Sequence, residues 1–228
     1  MFSQSAGATL YGRILAEGAV TVAAGATVTP RPVIGDCAAL RDAIDVCIGA
    51  HAGGHCPDEH GFLIGDWDVT GCTDMSGMFY EFNKRPSFVS FNADISNWDV
   101  SKVTNMWGMF IFSTAFNGDL SDWDVSRVTD MVGMFGSAEA SNADVSAWDV
   151  SKVTNMDYMF YSASAFNGDL SDWDVSKVTN MDYMLFASAF SQTLCNAWLS
   201  NTGSSKTNMF QGTTGAKIGS TAECAALP

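Results

Sequence analysis

The chain has 228 residues, 47% of them hydrophobic, and carries 25 Asp and Glu against 11 Lys and Arg, for a formal net charge of −14. This balance argues against nucleic-acid binding, which needs a basic footprint for phosphate, and against docking on anionic membrane surfaces. No apolar run approaches the roughly 20 residues of a membrane-spanning helix, so no membrane insertion is expected of this chain.

Taken in chain order, the opening stretch MFSQSAGATLYGRILAEG lacks the basic start of a secretory leader, and Arg13 and Glu17 interrupt any apolar core. If the protein is exported, its leader lies outside this sequence. Residues 6–30, AGATLYGRILAEGAVTVAAGATVTP, resemble the last coils of the β-solenoid ice-binding proteins of polar microbes. That resemblance implies that residues 1–34 are a partial β-solenoid-like segment at the tail of a longer two-domain protein. It covers too few coils for an ice-binding face to be carried over.

Residues 36–50, DCAALRDAIDVCIGA, read as a helix with Asp36 as N-cap. Ala39, Leu40, Ala43, Ile44 and Cys47 form its apolar face, which would cover the first repeat. The region 35–65 is therefore expected to be an N-terminal cap. Within it, HAGGHCPDEH gathers His51, His55, Cys56 and His60. Imidazole and thiolate are zinc ligands, but this spacing matches no zinc pattern, and the glycines mark a polar loop.

From residue 66 the chain repeats itself. WDVSKVTNM occurs at Trp98, Trp148 and Trp173, WDVSRVTDM at Trp123 and WDVTGCTDM at Trp67. Trp98, Trp123, Trp148, Trp173 and Trp198 follow one another at 25 residues; Trp67 precedes Trp98 by 31. A fixed period of this size signals a repeat array. In L-S-D-W-D-V (120–125 and 170–175) the apolar residues follow L-x-x-L-x-L, the strand pattern of a leucine-rich repeat. The following S-K-V-T-N-M-x-x-M-F reads as a turn and a short helical segment burying Val, both Met and Phe, with Thr129, Thr154 and Thr179 as N-caps. The fold class expected is an α/β repeat, a leucine-rich-repeat-like solenoid of about five to six coils with short strands, short helical segments and an N-terminal capping helix. The repeats occupy 66–198 and a C-terminal cap 199–228.

Ten of the twelve methionines fall in two slots per repeat, from Met75 and Met78 to Met181 and Met184. A methionine ladder could hold soft metal, but core filling is the better reading, since the period places the pairs inside. Asn92, Asn117, Asn142 and Asn167 recur once per unit and are expected to form an internal ladder bonding backbone at the turn before the strand.

Asp68, Asp99, Asp124, Asp149 and Asp174 occupy one outward slot in successive repeats, with Asp122 and Asp172 beside them. Such a row needs relief from repulsion. Partial protonation, pairing with Lys102, Arg127, Lys152 and Lys177, or bound calcium would each supply it. The row is the candidate interaction surface, and hard cations or a cationic partner would suit it. Six cysteines at 37, 47, 56, 72, 195 and 224 gather at the two ends of the repeats and contain no CxxC. An even count fits disulfides in an oxidising compartment. Cys195 and Cys224 are expected to pair in the C-terminal cap. The other four allow three connectivities, and a short gap favours Cys47–Cys56.

The units WDVSKVTNMxxMF and FNGDLSDWDV, with the lead-in CAALRDAIDVC and the phrase IGDWDV, resemble the BspA-like leucine-rich surface repeats, the 25-residue variant found in Mycoplasma-type surface lipoproteins. The resemblance covers about residues 36–210. It implies a secreted or surface-displayed repeat protein for adhesion or for interaction with a protein or glycan, with no catalytic residues and no cofactor. No G-x-S-x-G, HExxH, P-loop or EF-hand is present, so no enzymatic activity is expected. The alternative is the tail of an ice-binding protein in which the repeats are an accessory.

Overall fold

The computed structural model describes residues 20–22, 26–28, 33–51, 54, 63–80 and 89–226. Strands β1 (Val20–Val22) and β2 (Ala26–Val28) pair antiparallel, with Val20 opposite Val28. The rest of 6–30 lies outside the described residues, as does HAGGHCPDEH apart from His51 and Gly54.

Helix α1 (Cys37–Ala50) forms where the sequence places it. The extended Asp36 accepts the Ala39 amide at 2.9 Å, satisfying one of the unpaired donors of the first turn. Leu40, Ala43, Ile44, Cys47 and Ile48 are buried. The helix is fixed to the first repeat by the Cys37–Cys72 disulfide. The Arg41 guanidinium also donates to the carbonyls of Ser76 at 2.7 Å and Gly77 at 3.1 Å.

The repeats do not build the expected leucine-rich-repeat-like α/β solenoid. From residue 91 to residue 192 the described residues contain no strand and no helix, only turns and isolated bridges. The remaining regular elements are short: a 3₁₀ turn at Ile64–Asp66, β3 (Thr193–Leu194), α2 (Ala197–Ser200), β4 (Lys217–Ile218) and α3 (Thr221–Cys224). Strands β3 and β4 pair parallel over two residues.

The apolar spacing of L-S-D-W-D-V has another cause. The Trp123 amide donates to the Leu120 carbonyl at 3.2 Å, and the Val128 amide to the Val125 carbonyl at 2.8 Å. These are two successive tight turns, so the chain bends where a strand would run straight. Leu120, Trp123 and Val125 still point inward and Asp122 and Asp124 outward, but turns rather than a pleat produce the alternation.

The expected helical segment fails for a backbone reason. Gly133 has φ 60°, and the same repeat position is left-handed at Gly77, Gly108, Tyr158, Tyr183 and Asn208. A right-handed helix admits no such residue. The alternate amides of Met131, Gly133 and Phe135 instead donate to Asn155, Asp157 and Met159 of the next repeat, at 3.1, 2.8 and 2.8 Å. Thr129 caps nothing: its amide and hydroxyl both donate to the Thr104 carbonyl of the preceding repeat, at 2.9 and 3.1 Å. Single parallel bridges join Asp74, Asn105, Asp130, Asn155, Asn180 and Ser205 in succession.

The side chains between these bonds form one core. All ten methionines of the two slots are buried, as are Trp67, Trp98, Trp123, Trp148, Trp173 and Trp198. Phe110, Phe135 and Phe160 stack across repeats with centroids 5.5 Å apart. Each indole from Trp98 to Trp198 donates to a buried carbonyl of the preceding repeat: Ile64, Ile95, Leu120, Val145 and Leu170, at 2.8 to 3.3 Å.

Trp148→Phe keeps most of the apolar volume but removes the 3.0 Å indole bond to the Leu120 carbonyl, which keeps the Trp123 amide as its other donor. The lost bond should lower unfolding free energy by about 0.5–1.5 kcal/mol. Trp148→Ala should lower it by about 3–5 kcal/mol. Urea denaturation measures both, and equal midpoints for Phe and Trp would contradict the role given to the indole N–H.

Candidate functional site

The carboxylates singled out by the sequence do project from the repeats, but they serve the turns first. Asp99, Asp124, Asp149 and Asp174 each accept, at 3.0 Å, the amide of the serine two residues on: Ser101, Ser126, Ser151 and Ser176. Asp68 accepts both the amide and the hydroxyl of Thr70, at 3.0 and 2.7 Å. An Asp that closes its own turn explains the D-x-S and D-x-T spacing.

A second row escaped the sequence reading. Asp94, Asp119 and Asp144 hold the amide and hydroxyl of Ser96, Ser121 and Ser146, and Asp169 holds the Ser171 amide. The D-x-S signal was present for these as well.

The electrostatics follow from the turns. The serine hydroxyl and then the serine amide hold the carboxyls of Asp99, Asp124, Asp149 and Asp174 below the usual carboxylate range. Asp149 and Asp99 push Asp124 the other way, with less effect. Partial protonation is therefore not how the row relieves its repulsion at neutral pH. Among the described residues Lys102, Arg127, Lys152 and Lys177 form no close ion pair with it, but the charges of Lys102, Lys152 and Lys177 still favour ionised Asp99, Asp149 and Asp174; Lys217 and Glu223 make the close pair found there. The calcium reading also lacks support: among the described residues no group of three or more His, Cys, Asp or Glu is placed to hold a metal ion.

The asparagine ladder is present, at the surface. The side-chain oxygens of Asn92, Asn117 and Asn142 accept the amides of Asn117, Asn142 and Asn167 at 2.8 to 2.9 Å. At one end a cleft of about 450 Å³ is lined by Val33, Trp67, Asp68, Val69, Thr70, Asn97 and Asp99. It brings the first two carboxylates of the row to one opening.

The surface feature that sequence reasoning missed is aromatic. Trp107, Phe112 and Tyr158 are 42%, 41% and 38% exposed. Tyr158 stacks on Tyr183 at 4.9 Å and Tyr161 on Phe186 at 5.1 Å, and the two stacks meet at 54–56°. Beside them lie Asp157 and Asp182. Burial, then the charge of Asp182, pushes the Asp157 carboxyl above the usual range. Its Oδ1 is buried without a hydrogen-bond partner. These rings occupy the x positions of M-x-x-M-F and the two positions after it, where residue identity varies between repeats. Periodicity therefore gave no signal for them.

Both ends are closed covalently. Cys195 and Cys224 pair as expected. Cys37 pairs with Cys72. Cys47 is disulfide-bonded too, whereas the expected pairing Cys47–Cys56 involves a residue outside the described ones.

Comparison with known proteins adds one relationship. The family described as "Mycoplasma protein of unknown function, DUF285" matches residues 58–145 and 122–220, more than half of the chain. The chain belongs to the DUF285 family. No curated protein and no solved structure matches it. The DUF285 match takes in every described repeat together with both aspartate rows and the aromatic group. In this DUF285 chain no helix among the described residues is long and apolar enough to cross a membrane.

A carboxyl whose pKa is depressed by folding stabilises above its unfolded value, about 3.9, and loses that contribution as pH falls through the folded value. The many turn aspartates act in this direction; Asp157, shifted upward, opposes them. The melting temperature should hold from about pH 7 to pH 5 and fall below about pH 4. Asparagine can close the same turn without titrating. Asp124→Asn with Asp149→Asn should therefore flatten the acid limb and leave neutral stability nearly unchanged. Calorimetric melts across pH check this; an acid limb identical in the double variant would contradict it.

Proposed function

We propose that this chain is a non-catalytic interaction module of an extracellular or cell-surface protein, used for adhesion to a protein or glycan partner. The observation that carries the reading is the pair of disulfides, Cys37–Cys72 and Cys195–Cys224, at the two ends of the repeats. Such bonds persist in oxidising compartments. The resemblance of WDVSKVTNMxxMF to BspA-like surface repeats supports the same location. Exposed, mutually stacked rings support an interaction role, since large exposed aromatics mark contact surfaces more often than idle ones. The turn aspartates and ladder asparagines are engaged with backbone, so the reading gives them a structural part.

The test has two arms. Purified oxidised chain on glycan and protein arrays should return a saturable ligand. Reductant should lower the melting temperature, because opening the loop closed by Cys195–Cys224 releases about 3–4 kcal/mol of chain-entropy constraint on the unfolded state. No ligand on either array, with melts indifferent to reductant, would contradict the proposal.

A further inference from the structure

Repeats built from one unit should differ at the surface only where something other than the core selects the residue. The left-handed position after the first methionine shows such a difference. It is glycine at Gly77, Gly108 and Gly133, asparagine at Asn208, and tyrosine at Tyr158 and Tyr183, with φ 56° and 54°. A bulky residue is strained there, and residues held in such conformations concentrate at binding sites. The core does not require the rings. Met106, Met109, Met131 and Met134 are 0% exposed in the glycine repeats, and so are Met156, Met159, Met181 and Met184 in the tyrosine repeats.

Two repeats therefore carry strained tyrosines whose rings face outward. Tyr161 and Phe186 join them at centroid distances of 5.4 and 5.7 Å, giving a four-ring surface. The adjoining polar atoms indicate what it takes. The Asp157 carboxyl is held by the Asn180 side chain and the Tyr158 amide, with its Oδ1 closed off from solvent. Asp182, whose Oδ1 accepts the Ser205 hydroxyl and the Thr207 amide, lies close enough for its charge to disfavour ionised Asp157. A ligand that brings a positive charge offsets the repulsion between the two carboxylates and gains from the ring faces, which attract cations. The chain's net charge of −14 favours the approach of such a partner.

We propose that Tyr158, Tyr161, Tyr183 and Phe186, with Asp157 and Asp182, form a binding site for a guanidinium or ammonium side chain of a basic polypeptide partner. This rests on the interaction-module reading and names its site and the chemistry of the partner. The glycine repeats supply the informative substitution. Tyr158→Gly with Tyr183→Gly removes the rings and relieves the backbone, so stability should hold or rise.

Fluorescence anisotropy with a labelled peptide of alternating glycine and arginine, at about 150 mM salt to suppress long-range attraction, reads the affinity. The intact chain should bind saturably. The double tyrosine variant should bind about tenfold more weakly while melting no lower. Asp157→Asn should also weaken binding by about tenfold. Asp124→Asn with Asp149→Asn, which removes two charges from the turn row instead, should leave it unchanged. Equal binding by all variants would show general charge attraction and overturn the site. A lower melting temperature in the tyrosine variant would make the rings structural and overturn it as well. If the chain binds no basic peptide but a glycan retained on the array is lost with the tyrosines, the cationic partner is wrong while the interaction reading stands. If neither peptide nor array ligand binds, both fall.

Discussion

The indole N–H of a buried tryptophan, reaching back to a carbonyl 34 residues earlier at Trp98 and 28 earlier from Trp123 to Trp198, is the constraint around which these repeats are arranged. The tight turn at Leu120–Trp123 sets the Leu120 carbonyl in the interior, where it accepts the Trp123 amide and has a second lone pair for another donor. The Leu120 carbonyl receives the Trp148 indole at 3.0 Å, and the same bond recurs at Trp173 and Trp198. No aliphatic residue could replace this donor. With the ring fixed across two repeats, the register between them is fixed too. The unbranched methionines then fill what remains on either side. The backbone answers by alternation: amides of Met131, Gly133 and Phe135 leave one repeat for the next, and the left-handed residue between them turns the amides the same way.

Much of this was legible from the residues. Asp36 and the apolar face of α1, the inward Met pairs, the asparagine ladder and Cys195–Cys224 all follow from local rules of capping, period and cysteine placement. The strand was misread because L-x-x-L-x-L fixes which side chains face inward and not how the backbone carries them there. Two Asx-closed turns give the same in-and-out order as a pleat. The short helix was misread because Val, Met, Met and Phe at steps of three, three and one suit a helix equally well; the glycine at 77, 108 and 133 was the sign of a left-handed position. Thr129 and its equivalents have the composition of a cap, yet they donate across repeats.

The two kinds of surface differ in the same physical way. The aspartate rows are regular because every unit needs its turns closed, and regularity made them visible in the sequence. Their carboxylates are committed to Ser and Thr two residues on, which leaves them a structural role. The aromatic group is irregular, built around Tyr158, Tyr161, Tyr183 and Phe186, with tyrosine at the left-handed position that Gly77, Gly108 and Gly133 fill in other repeats. The repeating part of the unit thus builds the molecule, and the part that escapes the period distinguishes one stretch of its surface from another.

All alternate amides of a repeat point toward the next one, so the last repeat has donors without takers. Among the described residues the amides of Lys206, Asn208 and Phe210 donate to no partner, whereas the equivalent amides of Met181, Tyr183 and Leu185 donate at 2.9 to 3.0 Å to Ser205, Thr207 and Met209. Amide hydrogen exchange resolved by residue tests this arrangement most directly. The account predicts that Met131, Gly133, Phe135, Met156, Tyr158 and Phe160 exchange only through global opening, while Lys206, Asn208 and Phe210 exchange orders of magnitude faster. Equal rates at equivalent positions of the middle and last repeats would contradict it.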